Sequence, residues 1–300
     1  MIRITNLCFI IIALATSSTN AQNALFSNFN QNLDIDQQNI YNNLLELETS
    51  KRARIVSINY EALRSSELIL NFFNDNSAVV QKTQIGHTGI MFRSWTGVEA
   101  HTLGSASILI NEERISGHFT SINGNFEIAP LGNNGAHMVF ENDNEKFQAC
   151  ATEDNVIENE NQNNKKINRL DKKNNHKIVP SPEHNMNSRS YNDEINESRS
   201  IGNECFIRLV IAYTPGAKTN TNITYGRTMN EHVALAVLDQ NLAHANSLVE
   251  QRVELAYLYP ATDLETSSST TDVNDLQANG DGKWDEIHTH RDTYDGDMCA

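Results

Sequence analysis

Two patterns of hydrophobic and polar positions divide the chain. Between residues 22 and 150, short segments with apolar residues at alternate positions, such as RARIVSINYEAL, are separated by turns rich in Gly and Asn. A period of two residues is that of a strand, and Gly and Asn favour tight turns. The pattern therefore predicts a mainly β region of antiparallel strands, which begins with an amphipathic helix around residues 37–47.

From residue 204 onward, strand-like and helix-like segments alternate. CFIRLVIAYTP and RVELAYLYP are runs of β-branched and aromatic residues that end at Pro215 and Pro260, and an apolar stripe between them predicts one helix over about residues 225–250. TDVNDLQA and GKWDEIHTHRDTY predict two further helices, and a third strand begins at about Asp297. This order predicts an α/β fold with a mostly parallel sheet and helical crossovers.

The segment between these regions, residues 151–203, is rich in Asn and in charged residues of both signs. Its few apolar residues cannot offset the entropy lost on ordering. We expect a disordered linker that proteases can reach.

The charge and the first residues of the chain indicate export. The formal net charge of −15 disfavours nucleic acid and anionic membranes as partners, because both are polyanions. Arg3, a short apolar stretch and the small residues before Gln22 predict a signal peptide over residues 1–21, which is too short to span a bilayer. The mature protein is therefore expected to be secreted and to have no membrane anchor.

Three stretches after residue 204 resemble a known protease family in their sequence and in their order: RLVIAYTPGA, ALAVLDQNLAHANSLVEQRVELAYL and GDGKWDEIHTHRDTYDGDM. Together they resemble the N-terminal half of a reprolysin-like metzincin, most of all the bacterial peptidyl-Asp metalloendopeptidases. The earlier stretch FEIAPLGNNGAHMVFE, with His137, is similar to the prodomain of such proteases. The resemblance implies a prodomain-like region over residues 22–150 and a catalytic region that begins at residue 204.

The same resemblance implies a secreted zinc metalloendopeptidase precursor that acts on proteins or peptides. In this family three His of an HExxHxxGxxH helix hold zinc, and the Glu activates a zinc-bound water. The chain contains no such helix: the nearest approach, around Glu231 and His232, lacks the ligand set. We therefore assign no catalytic or metal residue and expect a C-terminally incomplete chain that is inactive by itself. The alternative is a non-catalytic secreted binding or inhibitory protein, derived from a protease.

Three cysteines remain after signal removal, and their odd number leaves one without a partner inside the chain. Cys150, at the end of the prodomain-like region, is a candidate for a latency switch that would coordinate the catalytic zinc. The alternative is a disulfide between Cys150 and either Cys205 or a cysteine outside the chain. Cys205 and Cys299 are the other candidate disulfide residues.

One stretch near the end of the chain could bind calcium. Six residues follow the EF-hand spacing: Asp275, Gln277, Asn279, Gly280, Asp281 and Glu286. The alternative is a polar turn that caps the following helix.

The histidines give weaker indications of a site. His288 and His290 are two positions apart on a predicted helix and point about 200° apart, which disfavours a shared metal. We expect His288 to pack or cap and His290 to be solvated. His87, His101 and His118 occur singly and are expected to be hydrogen-bonded surface groups.

Overall fold

A computed structural model describes residues 23–83, 92–100, 102–147, 205–266 and 268–300. The predicted signal peptide and linker lie outside the described residues, as do Cys150, His87 and His101. The proposed division into domains therefore stays a prediction.

The N-terminal strands form one antiparallel sheet, in the spatial order β1-β2-β9-β8-β7-β6-β5-β4-β3. Backbone hydrogen bonds of 2.9 Å join Ile69 on the last strand to Asn23 and Leu25 beside the first, so the sheet is nearly closed on itself. The nine strands are β1 (Phe26–Asn28), β2 (Ser50–Ile58), β3 (Glu67–Phe73), β4 (Asn76–Thr83), β5 (Arg93–Glu99), β6 (Ser105–Asn111), β7 (Arg114–Ser121), β8 (Gly124–Pro130) and β9 (Ala136–Asn142).

Alternating side chains of this sheet build its core. Leu68, Leu70 and Phe72 are buried on β3, while the residues between them are only partly buried. Phe72 stacks on Phe126 of β8 with 4.1 Å between ring centroids. Burial of such aromatic and aliphatic side chains is the main force that stabilises a sheet of this kind.

Helix α1 (Ile35–Glu46) precedes β2 and confirms the predicted N-terminal helix. The carboxylate of Asp34 accepts a hydrogen bond from the Gln37 N–H, and the Gln37 side chain bonds back to the Asp34 N–H. This capping box satisfies two backbone donors that the helix leaves free.

The C-terminal region builds a second, smaller sheet in which β10 is central and pairs in parallel with β11 and β12. Between the strands lie four helices of the described residues. The elements are β10 (Cys205–Tyr213), α2 (Pro215–Tyr225), α3 (Met229–Asn246), β11 (Gln251–Pro260), α4 (Ser269–Gln277), α5 (Glu286–Thr293) and β12 (Met298–Cys299).

The predicted fold class, a mostly parallel α/β domain with a β region before it, is wrong. Among the described residues, nine strands belong to the antiparallel sheet and three to the parallel one. Turns as short as Glu112–Glu113 join consecutive strands of the large sheet, and such turns allow only antiparallel neighbours. The alternation of strands and helices that suggested a parallel fold is confined to residues 205–299.

The long helix predicted over about residues 225–250 is confirmed as α3, which is shorter at both ends, but the sequence did not predict α2 before it. Gly226 ends α2 in a left-handed conformation with φ of 60°. Thr228 then begins α3 and makes a capping box with Glu231. Within the part of the chain that the structure describes, no helix is long and apolar enough to cross a membrane.

Candidate functional site

Helix α3 lies between the two sheets and is apolar on two faces. Ala234, Leu235 and Leu238 pack against Leu109 of β6, while Met229, Val233 and Val237 pack against side chains of β10 and β11. On β6, Ile108 and Ile110 belong to the core of the large sheet, whereas Leu109 meets the helix. The outer face of the large sheet is therefore a binding surface for α3.

A buried ion pair joins β7 to the start of α3. The Arg114 guanidinium donates to both carboxylate oxygens of Glu231 at 3.0 Å, and Asn111 donates to the same carboxylate at 2.9 Å. Arg114 also donates to the carbonyl of Gly226 at 2.6 Å. Glu231 is 1% exposed, so its charge is compensated by the sheet and by its own helix cap at Thr228.

A second ion pair has the opposite polarity. Arg227, the residue between α2 and the α3 cap, is 1% exposed and lies 2.7 Å from the carboxylate of Glu127 on β8. Its guanidinium also donates to the Ser116 hydroxyl at 3.1 Å and to the carbonyl of Ile128 at 2.8 Å. Each region thus supplies one cation and one anion, and we refer to Arg114–Glu231 and Arg227–Glu127 as the crossed ion pairs.

His118 continues this polar contact along α3. Its Nδ1 is 2.5 Å from a carboxylate oxygen of Asp239, and the other oxygen of that carboxylate accepts from the Ser107 hydroxyl. The Nε2 of His118 is 3.6 Å from Glu127. The imidazole therefore lies between two carboxylates, one from the helix and one from the sheet.

The electrostatics of the site follow from these contacts. Burial would raise the pKa of Glu127, but Arg227 and His118 outweigh burial and lower it to about 2. Burial likewise opposes ionisation of Glu231, and hydrogen bonds from Arg114 and Thr228 lower its pKa to about 2. Burial would lower the pKa of His118, but Asp239 and Glu127 raise it to about 9. At neutral pH Glu127, Glu231 and His118 are therefore all charged.

The geometry at Gly226 fixes how closely the two regions approach. A Cβ atom at this position would lie 2.4 Å from the carbonyl oxygen of Pro130, at the end of β8. Only glycine accepts both this contact and the left-handed conformation without strain. The close approach sets Arg227 directly against β8.

The candidate cysteines of the described residues do not pair with each other. Cys205 is a free, exposed thiol at the start of β10, and Cys299 is a free, partly buried thiol on β12. Burial raises the pKa of Cys299. Cys150 lies outside the described residues, so its proposed roles as a latency switch or a disulfide partner stay predictions.

The stretch proposed as a calcium loop forms a polar turn. Asp275 and Gln277 lie in α4. Asp285, which is not among the six predicted ligands, accepts hydrogen bonds from the N–H groups of Gly280 and Gly282 at 2.6 and 2.9 Å. Within the ranges that the structure describes, no three His, Cys, Asp or Glu side chains gather into a possible metal site.

The surroundings of the histidines agree only partly with those expected from the sequence. His288 contacts the carbonyl of Ala278 at 2.8 Å, which confirms its packing role. His290 is half-buried rather than solvated, with ring centroids 4.4 Å from Tyr259 and 4.9 Å from Tyr257. His118 is hydrogen-bonded and 37% exposed, as expected of a hydrogen-bonded surface group, but its ring lies between two carboxylates that the sequence did not indicate.

Sequence reasoning missed the crossed ion pairs. Glu231 belongs to the incomplete zinc motif, and the Thr228-x-x-Glu231 spacing is also a recognisable helix start. Arg227 directly before this cap had no signal of its own. Its partner lies 100 positions earlier, and no local pattern could have joined the two.

Comparison with known proteins finds two related metalloendopeptidases. The chain is 35% identical over 99 residues to the peptidyl-Asp metalloendopeptidase of Xanthomonas campestris, which covers 33% of this chain and 23% of the relative. It is 33% identical over 108 residues to the peptidyl-Asp metalloendopeptidase of Stenotrophomonas maltophilia, which covers 36% of this chain and 25% of the relative.

The chain therefore spans about a quarter of the length of these curated relatives. No protein-family model matches it, and no solved structure is significantly similar to it. The similarity supports a relationship between part of this chain and metalloproteases.

Proposed function

We propose that this chain belongs to the precursor of a secreted zinc metalloendopeptidase that hydrolyses proteins or peptides. The observation that carries the proposal is the similarity to two peptidyl-Asp metalloendopeptidases. In this proposal residues 22–150 are the propeptide and residues 204–300 begin the catalytic region. The implied metal is zinc, which activates water in proteases of this class.

The described residues do not themselves fit a zinc site, because no three suitable side chains gather among them. We therefore assign no step of hydrolysis to them. Their proposed contribution is structural: the nine-stranded sheet holds α3 and, through α3, the parallel strands β10 and β11. Asn241 of α3 supports this role, since its side chain exchanges hydrogen bonds of 2.7 and 2.8 Å with the backbone of Val253 on β11.

The proposal is tested on the product of the whole gene. The reading frame would be sequenced beyond the codon for Ala300, and the full product would be purified and incubated with an unstructured protein. We expect the frame to continue into an HExxHxxGxxH helix and hydrolysis to require zinc. Hydrolysis should stop with a chelator and in the variant whose motif Glu is replaced by Gln.

A stop codon after Ala300, or a continuation without zinc ligands, would contradict the proposal and favour a non-catalytic secreted binding protein. Export has its own test: the protein recovered from the medium should begin at Gln22, after removal of the signal peptide.

A further inference from the structure

We infer that the outer face of β6, β7 and β8 is a recognition surface for residues 226–239, and that it keeps the two regions bound after the backbone between them is cut. The regulatory meaning of this inference rests on the proposed function, since it concerns the release of a propeptide. The binding itself does not depend on catalysis. In a precursor of this design, cleavage between residues 148 and 204 would not by itself free the catalytic region.

Apolar contacts supply the affinity of this surface. Leu109 is 1% exposed and packs with Ala234, Leu235 and Leu238. A second contact lies beside it, where α1 meets α2: the Asn43 amide donates to the carbonyl of Ile223 at 3.0 Å. Neither contact needs the covalent connection between the regions, and removal of apolar surface from water favours their association.

The crossed ion pairs supply selectivity. Buried ion pairs add little net stability over apolar contacts, because removing charges from water has a large cost. A buried charge without its partner is strongly unfavourable, however, so the surface rejects a helix that lacks an anion opposite Arg114 or a cation opposite Glu127. Because the two pairs have opposite polarity, a helix in the reverse direction would place like charges together. The surface therefore accepts residues 226–239 in a single direction and register.

The hydroxyl of Ser107 and the imidazole of His118 extend this specificity to Asp239, which lies more than two helical turns beyond Glu231. The surface thus contacts charged residues at three positions of one segment: Arg227, Glu231 and Asp239. Three fixed charges over a length of 13 residues distinguish this segment from an ordinary amphipathic helix.

The inference is tested with the full chain, into which a recognition sequence for a site-specific protease is placed near residue 175. After complete cleavage at pH 7 and physiological salt, we expect the two fragments to elute together from a size-exclusion column. Elution as two separate species would overturn the inference. The experiment measures no proteolytic activity of this protein, so a failure of the proposed function would leave its outcome unchanged.

Selectivity is tested with Glu231→Gln in the same cleavable chain. We expect the dissociation constant of the cleaved fragments to rise about 100-fold, because Arg114 then lacks a buried counter-charge. Glu61→Gln is the matched control, since Glu61 forms an exposed pair with Arg64 and should leave the dissociation constant unchanged. An equal dissociation constant for Glu231→Gln and the control would overturn the assigned role of the crossed ion pairs. Arg114→Met is a second test of the same ion pair, because it removes the partner that lies on the sheet.

Discussion

Arg227 and Glu127 lie 2.7 Å apart in the contact between the large sheet and the start of α3, and both are almost excluded from solvent. The arginine comes from the region that follows residue 204, and the glutamate comes from β8. A buried pair of this kind stabilises only while both members are present. Loss of one member of the pair can therefore be used to test whether the two regions are in contact.

Replacement of Arg227 by Met should destabilise the whole protein. The charge of Glu127 would remain buried, and we expect the free energy of unfolding to fall by about 3–5 kcal/mol. Urea denaturation followed by circular dichroism measures the change. Arg64→Met is the control, because Arg64 is exposed and pairs with a surface glutamate. Equal stability of the two variants would show that the region containing Arg227 does not contact the sheet in solution.

His118 should make stability fall at alkaline pH. Its pKa is raised from 6.5 to about 9. Its contribution to the free energy of unfolding is therefore fully present below pH 6.5 and is lost as the pH rises through 9. The charged groups around it are Asp239 on α3, Glu127 on β8 and, through Glu127, Arg227; His232 on α3 adds a weak repulsion.

We expect a loss of about 1 kcal/mol between pH 6.5 and 10, a modest value because the side chain is 37% exposed and solvent screens the pair. The comparison is between wild-type protein and His118→Gln in urea titrations across this range. If the variant loses as much stability as the wild type, another group is responsible.

His137 should limit stability on the acid side. It is fully buried, its Nε2 accepts a hydrogen bond from the Ile115 N–H, and its Nδ1 contacts the carbonyl of Gly135. Burial is the main reason that its pKa is lowered to about 4. The contribution of neutral His137 to the free energy of unfolding should therefore be fully present above pH 6.5. It should decline as the pH falls toward 4, because the unfolded chain binds the proton more readily.

The titration of the His137 ring by nuclear magnetic resonance measures this pKa directly, and His118 in the same spectrum is an internal comparison. We expect two histidines that titrate several pH units apart. A normal titration of His137 near pH 6.5 would contradict its burial in the neutral form.

Gly226→Ala should weaken the contact between the regions for two reasons, a positive φ and a steric clash, and should therefore cost more than a positive φ alone. The added methyl group would meet the carbonyl oxygen of Pro130 at 2.4 Å, in addition to the strain of a positive φ. Gly135→Ala is the matched control, because Gly135 also has a positive φ but nothing within 4 Å of the new methyl group.

We expect Gly135→Ala to lower the free energy of unfolding by about 1 kcal/mol and Gly226→Ala by about 1–3 kcal/mol more. Thermal or urea unfolding measures both variants. Equal effects would mean that the close approach to β8 is absent in solution.

Most individual elements could be predicted from the sequence, whereas their assembly could not. Strands β10 and β11 were predicted because a run of β-branched and aromatic residues that is closed by a proline is a local signal. Helix α2 was not predicted because its sequence, PGAKTNTNITY, carries no apolar stripe. The predicted fold class was wrong because it was taken from the order of elements after residue 204, whereas most strands of the described residues belong to the antiparallel sheet.

The site depends on pairings that no local pattern contains. Glu231 is recognisable as a capping residue, but its second role, compensation of Arg114, requires a partner 117 positions away. His118 has no sequence neighbour that would raise its pKa; Asp239 reaches it only after α3 has packed on the sheet. Sequence periodicity identifies which residues share one face of a helix or strand. It does not identify which other helix or strand packs against that face.

The arrangement of short and long connections also sets an order of folding. Consecutive strands such as β6 and β7 are joined by turns of two residues, whereas Ser107 meets Asp239 across 132 positions. Local hairpins close rapidly, and contacts of high sequence separation form late. During synthesis from the N-terminus, the nine strands can therefore assemble on the ribosome before α3 emerges. Helix α3 can then pack on a sheet that is already formed.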